Sequence, residues 1–188
     1  MVRTYTDEPV DAGAVRRALE HAHRAPSAGN SAGWAFLLLD DPVAVARFWS
    51  AATPDGGGSD AWSRGMRTAP VVVVPLSSKQ AYLDRYAEPD KGWTDRDEDR
   101  WPVPYWDVDT GMAALLVLLT AVDEGLGACL FGVPAERVDV LRTEFGVPAD
   151  HRPVGAITLG HPAPERVRGS AASRPRRPLD EVVHRGRW

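Results

Sequence analysis

The stretch Asp107-Val108-Asp109-Thr110-Gly111-Met112-Ala113-Ala114-Leu115-Leu116-Val117-Leu118-Leu119-Thr120-Ala121-Val122-Asp123-Glu124-Gly125-Leu126-Gly127-Ala128-Cys129-Leu130-Phe131 decides the fold. Residues 107–124 read as a helix. From 112 to 122 it is apolar almost all round, which predicts a central, buried helix. A membrane span is the competing reading. The apolar run is about half the roughly 20 residues a bilayer requires, and Asp107, Asp109, Asp123 and Glu124 close both ends. Gly125-Leu126-Gly127 then turns the chain directly into a strand over 128–131. A core helix that feeds straight into a core strand predicts helices layered on a sheet.

The flanking sequence supplies the other layers. Val15, Ala18, Leu19 and Ala22 fall at helical spacing, so 11–23 reads as a helix with Asp11 as N-cap and Pro26 beyond its end. Residues 27–33 are small and form a loop, followed by an apolar strand over 34–39. Asp41-Pro42 opens a short helix through Trp49. Asp55-Gly56-Gly57-Gly58-Ser59 is a flexible connection. Val71 to Val74, between Pro70 and Pro75, is a fully buried strand by its β-branched content. A helix over 134–145 and a strand over 154–159 complete the set. Helices and strands alternate irregularly with short connections. This predicts an α/β or α+β sandwich in one domain, 1–188, with no internal repeat.

Composition narrows the class. The chain has 188 residues, 44% hydrophobic and 26% charged, as expected of a globular protein rather than a disordered or collagen-like one. One cysteine, Cys129, excludes an intrachain disulfide and fits a reducing cytoplasm. No secretion signal is read at the N-terminus. The net charge of −4 argues against nucleic acid as the main partner. That charge is unevenly divided. Residues 165–188 hold seven arginines against three acidic residues, a net +4, so the remainder carries −8. A basic tail on an acidic body is either a solvated segment or an anion site.

Several chemistries are missing. There is no phosphate-loop pattern and no zinc-ligand pattern. His21 and His23, two apart on a helix, diverge too far to share a metal. Cys129 lies in an apolar strand and reads as a buried, inert thiol. Residues 76–106 are the irregular part, in which Ser78 to Tyr86 could be one helix, with Trp93, Trp101 and Trp106 close together and Trp101-Pro102-Val103-Pro104-Tyr105-Trp106 read as non-regular. A long aromatic loop in a compact domain is a lid, a binding loop or a segment pinned to the core or to a partner. Tyr82, Trp101, Tyr105 and Trp106 are its candidate substrate-wall residues.

Three features could converge on a ligand. Arg3 and the tail arginines could clamp phosphate oxygens, which suit guanidinium forks. The 26–33 loop, with exposed backbone and the short polar Ser27 and Asn30, could hydrogen-bond the edge of a flat heterocycle. The glycines of 125–132 could let backbone approach a ring. Each has a plain structural reading too: a solvated tail, a simple turn and tight helix–strand packing.

Four segments, taken in order, resemble the nitroreductase superfamily of FMN-dependent nitro- and flavin-reductases. Arg3-Thr4-Tyr5-Thr6-Asp7-Glu8-Pro9-Val10 resembles its N-terminal arginine segment. Ala25-Pro26-Ser27-Ala28-Gly29-Asn30-Ser31-Ala32-Gly33-Trp34 resembles its Pro-Ser-x-x-Asn-x-Gln-Pro-Trp loop. Gly125-Leu126-Gly127-Ala128-Cys129 resembles its Gly-Leu-Gly segment, and Arg174-Pro175-Arg176-Arg177-Pro178-Leu179 its C-terminal basic pair. The resemblance implies an α+β fold, a three-layer α/β/α sandwich with a mixed, mainly antiparallel sheet. It also implies an intertwined homodimer with FMN at each subunit interface and NAD(P)H as co-substrate. By the same resemblance, Arg3, Arg174 and Arg176 hold the phosphate. Pro26, Ser27, Ala28 and Asn30 line the flavin, and Leu130, Phe131 and Gly132 approach the ring from the other side. No side chain need act as acid or base, because the flavin carries the hydride chemistry. The expected activity is transfer from NAD(P)H to a small, flat, electron-poor acceptor such as a nitroaromatic or quinone.

The chain also departs from the family pattern. Members commonly carry an Arg-x-Ser pair just before the segment that begins here, and Ala32 and Gly33 stand where the loop has glutamine and proline. A polar contact is lost and a larger pocket is expected. Two alternatives therefore stand beside FMN-dependent reduction: a deazaflavin-using reductase of the same fold, and a flavin-binding or storage protein without turnover.

Overall fold

The computed structural model describes residues 1–54, 58, 60–164 and 174–188. Most of the 55–59 connection, and Arg166 and Arg168 of the basic tail, lie outside the described residues. Among the described residues, six α-helices and five strands are formed in the order α1 (Ala12–Ala22), β1 (Trp34–Leu39), α2 (Pro42–Ala52), α3 (Ala61–Met66), β2 (Val71–Ser77), α4 (Lys79–Ala87), α5 (Tyr105–Asp123), β3 (Gly127–Phe131), α6 (Ala135–Glu144), β4 (Arg152–Pro153) and β5 (Ala156–Gly160).

Local chemistry starts and stops these helices. Asp11 accepts from the Gly13 and Ala14 amides, and Asp41 from those of Val43 and Ala44 with Pro42 in the first turn. Asp60 caps α3 and Ser78 caps α4. Gly125, at φ 72°, ends α5. The Leu126 amide donates to the Ala121 carbonyl at 2.7 Å and the Gly125 amide to that of Val122, the paired bonds of a left-handed glycine stop. The chain therefore reverses within three residues and enters β3.

The sheet runs β1-β2-β5-β3, with β4 beside β2, and every pairing among the described strands is antiparallel. Alternate residues of β2 feed two cores. Val71 and Val73, with Ile157, Leu159 and Ala128, face α1 and α5. Val72, Val74 and Leu76, with Cys129 and Ala156, face α2, α3 and α6. Helices on both faces explain why β2 is an unbroken apolar run instead of an alternating one. The result is the expected three-layer sandwich.

Three local expectations change. Strand β2 continues through Pro75 to Ser77. The Pro75 carbonyl accepts from the Val154 amide at 3.0 Å, so its missing N–H faces the same side, where β4 has ended and β5 has not begun. Helix α5 begins at Tyr105, so Tyr105 and Trp106 belong to it. That helix is also not buried all round. It packs through Ala113, Ala114, Val117 and Ala121, whereas Leu119 is 56% and Val122 72% exposed, with Val108 and Leu115 on the same stripe. The same apolar composition suits a core or an interface, which is why sequence alone reads it as core.

Candidate functional site

Beyond Pro26 the chain folds into a tight, internally bonded loop. The Asn30 amide donates to the Ser27 carbonyl, the Ser31 amide to that of Ala28, and the Ala32 amide to Ser27 Oγ at 2.9 Å. Gly29, Asn30 and Ala32 all have positive φ, at 61°, 54° and 46°. For alanine that conformation costs about 1 kcal/mol, and the Ser27 hydroxyl holds it in place. The loop exposes Asn30, whose side-chain amide makes no hydrogen bond among the described residues. The loop thus offers a ligand one unpaired amide on a pre-shaped backbone.

The back of the loop is fixed by α5 and α4. Asp109 is 2% exposed, and its Oδ2 accepts from the Ala28 amide at 2.8 Å and from the Tyr82 hydroxyl at 2.7 Å. No ion pair joins Asp109 among the described residues, so its buried charge is met by neutral donors. Burial, and then the bond to Asp109, push the Tyr82 phenol well above its usual range. Arg85 Nε donates to the Gly29 carbonyl at 2.9 Å. A Cβ on Gly33 would lie 2.7 Å from the Tyr82 ring and 3.0 Å from the Ser78 carbonyl, so glycine at this position lets α4 close on the loop.

The 76–106 segment is ordered around Trp101. That indole packs against Tyr82, Tyr86, Trp93, Tyr105 and Trp106, with centroids 4.6–6.0 Å away. Lys79–Glu98, Arg96–Asp84 and Arg100–Asp95 ion pairs close its outer side. Of the four expected wall residues, Tyr82 has no exposed surface, Trp106 is buried, and Trp101 and Tyr105 are partly exposed. Trp106 also lines a cavity of about 500 Å³ with Ser77, Lys79, Asp150, His151 and Arg152.

The other expected cofactor residues sit at the far edge of the sheet. The N-terminal segment runs beside β3, with the Val2 amide donating to the Ala128 carbonyl and the Tyr5 hydroxyl 2.8 Å from Thr158 Oγ1. Half-buried Arg3 has no carboxylate partner among the described residues, and its charge acts on the nearby Cys129 thiol. Burial raises that thiol's pKa, the largest of its influences. Leu130 and Phe131 point into opposite cores, and Phe131 stacks on Trp49 at 5.5 Å. Only backbone at this strand end is left for a ligand, and nothing lies within 4 Å of a Cβ built on Gly132. Arg174 and Arg176 are exposed.

The loop and Gly132 leave the same end of the sheet from its two outer strands. Two strands separate them, or about 14 Å at ordinary strand spacing. One chain therefore does not bring the expected cofactor residues together. A larger cavity of about 730 Å³, lined by residues including Asp7, Asp40, Trp49 and Arg67, contains none of them. Sequence reasoning missed Asp109 and Arg85 as supports of the loop, and Tyr86, whose ring would stand 2.6 Å from a Cβ on Gly29. The signal for Asp109 was present: it lies three residues after Trp106 and four before Ala113, on the core-facing stripe.

Comparison with known proteins bears on this arrangement. The chain resembles a nitroreductase family protein of Streptococcus pneumoniae TIGR4 (21% identity, TM-score 0.73, covering 98% of this chain and 94% of that one). It also resembles an FMN-dependent nitroreductase of Clostridium difficile R20291 (20%, 0.69, 100% and 94%). A third structure, a Clostridium acetobutylicum protein provisionally named an NADH oxidase, gives 22%, 0.68, 100% and 95%. At these identities the three establish the fold. The model of the nitroreductase family matches residues 1–161, which include the arginine segment, the 26–33 loop and the Gly-Leu-Gly turn. The chain therefore belongs to the nitroreductase family.

Proposed function

We propose that the protein is an FMN-dependent oxidoreductase that takes hydride from NAD(P)H and reduces a small, flat, electron-poor acceptor, acting as a homodimer. The observation that carries this reading is the 26–33 loop, with Asn30 free to bond a ligand and the backbone held from behind by Asp109. Arg3 supports it as a half-buried cation with no carboxylate partner among the described residues, suited to a phosphate. Gly132 supports it because its backbone has open space in front of it. These residues fit a flat, anionic cofactor, but only if two chains each contribute one sheet edge. The exposed stripe Val108, Leu115, Leu119 and Val122 is the apolar surface that such a pairing would bury.

FMN, when bound, supplies the hydride and electron chemistry. The chain's own part is to hold and orient. Asn30 and the loop backbone would hold the flavin ring and ribityl chain, and Arg3, with Arg174 and Arg176, would neutralise its phosphate.

The absorption spectrum of freshly purified protein tests this first. Yellow protein, or protein that takes up added FMN, is expected to oxidise NADH or NADPH with a nitroaromatic or quinone acceptor. Colourless protein that refuses FMN overturns the reading. Thermal stabilisation by a deazaflavin and not by FMN assigns the other cofactor, and FMN uptake without turnover assigns a binding protein. Leu119→Glu is expected to convert a dimer to a monomer in sedimentation, with loss of FMN. A wild-type protein that sediments as a monomer while holding FMN removes the two-chain site.

A further inference from the structure

Asp109 makes an unusual three-way joint. It belongs to α5, yet one oxygen serves the 26–33 loop through the Ala28 amide and α4 through the Tyr82 hydroxyl. A carboxylate oxygen has two lone pairs, so both donors are satisfied at one atom. Tyr82 is fully buried and touches Trp101, the centre of the aromatic cluster, at 5.9 Å between centroids. Arg85, one turn further along α4, bonds the loop again at Gly29. Loop and aromatic segment are thus attached to each other and to one buried acid. Burying an acid without a cation is costly unless its bonds are all made. The same side chain would be cheaper as valine if it served packing alone.

We propose that Asp109 is a positioning residue that fixes the ligand-facing loop and couples it to the aromatic segment over residues 79–106. The inference rests on the functional reading above, in which that loop contacts the flavin. It predicts that anything displacing the Trp101 cluster also loosens the loop.

The test titrates FMN into folded wild-type and variant protein and follows hydrogen exchange of peptides covering 25–34 and 79–106. Asp109→Ala orphans two donors, the part-buried Ala28 amide and the buried Tyr82 hydroxyl. It is expected to weaken FMN binding about tenfold or more and to speed exchange in 25–34. The oxygen of Asn can accept from both donors, so Asp109→Asn is expected to stay within about threefold of wild type in both readouts. Tyr82→Phe keeps the Ala28 bond and is expected to speed exchange in 79–106, with a loss of FMN affinity of about threefold. A folded Asp109→Ala protein with wild-type FMN affinity, or with wild-type exchange in 25–34, overturns the proposal. If Asp109→Ala does not fold, Tyr82→Phe decides, and wild-type behaviour in both readouts overturns it. A wild-type protein that binds no FMN defeats the functional reading instead, and the exchange data alone then judge the positioning role.

Discussion

The two outer edges of the sheet carry the same kind of segment in opposite states. At the β1 edge the 26–33 loop is locked: Asp109, Arg85 and Tyr82 bond or pack on it, and Gly33 admits α4 at close range. At the β3 edge a Cβ built on Gly132 meets no atom, Arg3 has no carboxylate partner among the described residues, and Leu130 and Phe131 are turned into the cores. One half of the candidate site is finished within the chain. The other presents groups that a ligand or a second chain would satisfy. A pre-shaped loop lowers the entropy cost of binding, and an open strand end leaves room for it.

Four measurements would break or sharpen this contrast. Trp101→Ala removes the ring at the centre of the locked edge and is expected to cost about 3 kcal/mol in urea unfolding. A loss below about 1 kcal/mol would mean the cluster is surface decoration. Gly33→Ala forces a methyl against the Tyr82 ring and the Ser78 carbonyl, and a cost of about 2 kcal/mol is expected by the same assay. The third is a pH titration. Asp84, Asp90 and Asp95 are held below the usual carboxylate range by hydrogen bonds from Arg96, Arg85 and Arg100. Their contribution is complete above the unfolded value of about 3.9 and is lost as pH falls through the lower folded values. Tryptophan emission should therefore hold steady from neutral pH to about 4 and change only below it. A transition finished above pH 5 would assign the segment's order to other groups. The smallest effect on stability belongs to the open edge. Gly132→Ala meets no atom and should change stability by less than about 0.5 kcal/mol, while lowering FMN affinity. Unchanged affinity would show that this strand end stays clear of the cofactor.

The layers were legible because their residues obey simple periods. The β-branched run at 71–74, the helical spacing of Val15, Ala18, Leu19 and Ala22, and the aspartate caps each point to one local structure. The misreadings share a cause: the deciding fact is tertiary. Pro75 reads as a strand stop until the gap between β4 and β5 is seen. Leu119 and Val122 read as core because hydropathy does not record which face meets the sheet. Helix α3 escaped notice because six residues, Ala61–Met66, show too little period. The loop at 26–33 was visible as a motif. Asp109 was read as a charge closing a helix end, because its partners Ala28 and Tyr82 lie 81 and 27 residues away in sequence.

Pro75 has a further consequence. It lies opposite the break between Pro153 and Ala156, outside the register pairs that β2 makes with β4 and β5. Slide β5 two residues along β2 and an intact strand would face the missing N–H, forfeiting a ladder bond. Valines are poor judges of such a slip, since Val71 and Val73 are interchangeable in shape. The proline is not. It works as a notch in a key, admitting one alignment of the central strands among several that hydrophobic packing alone would tolerate.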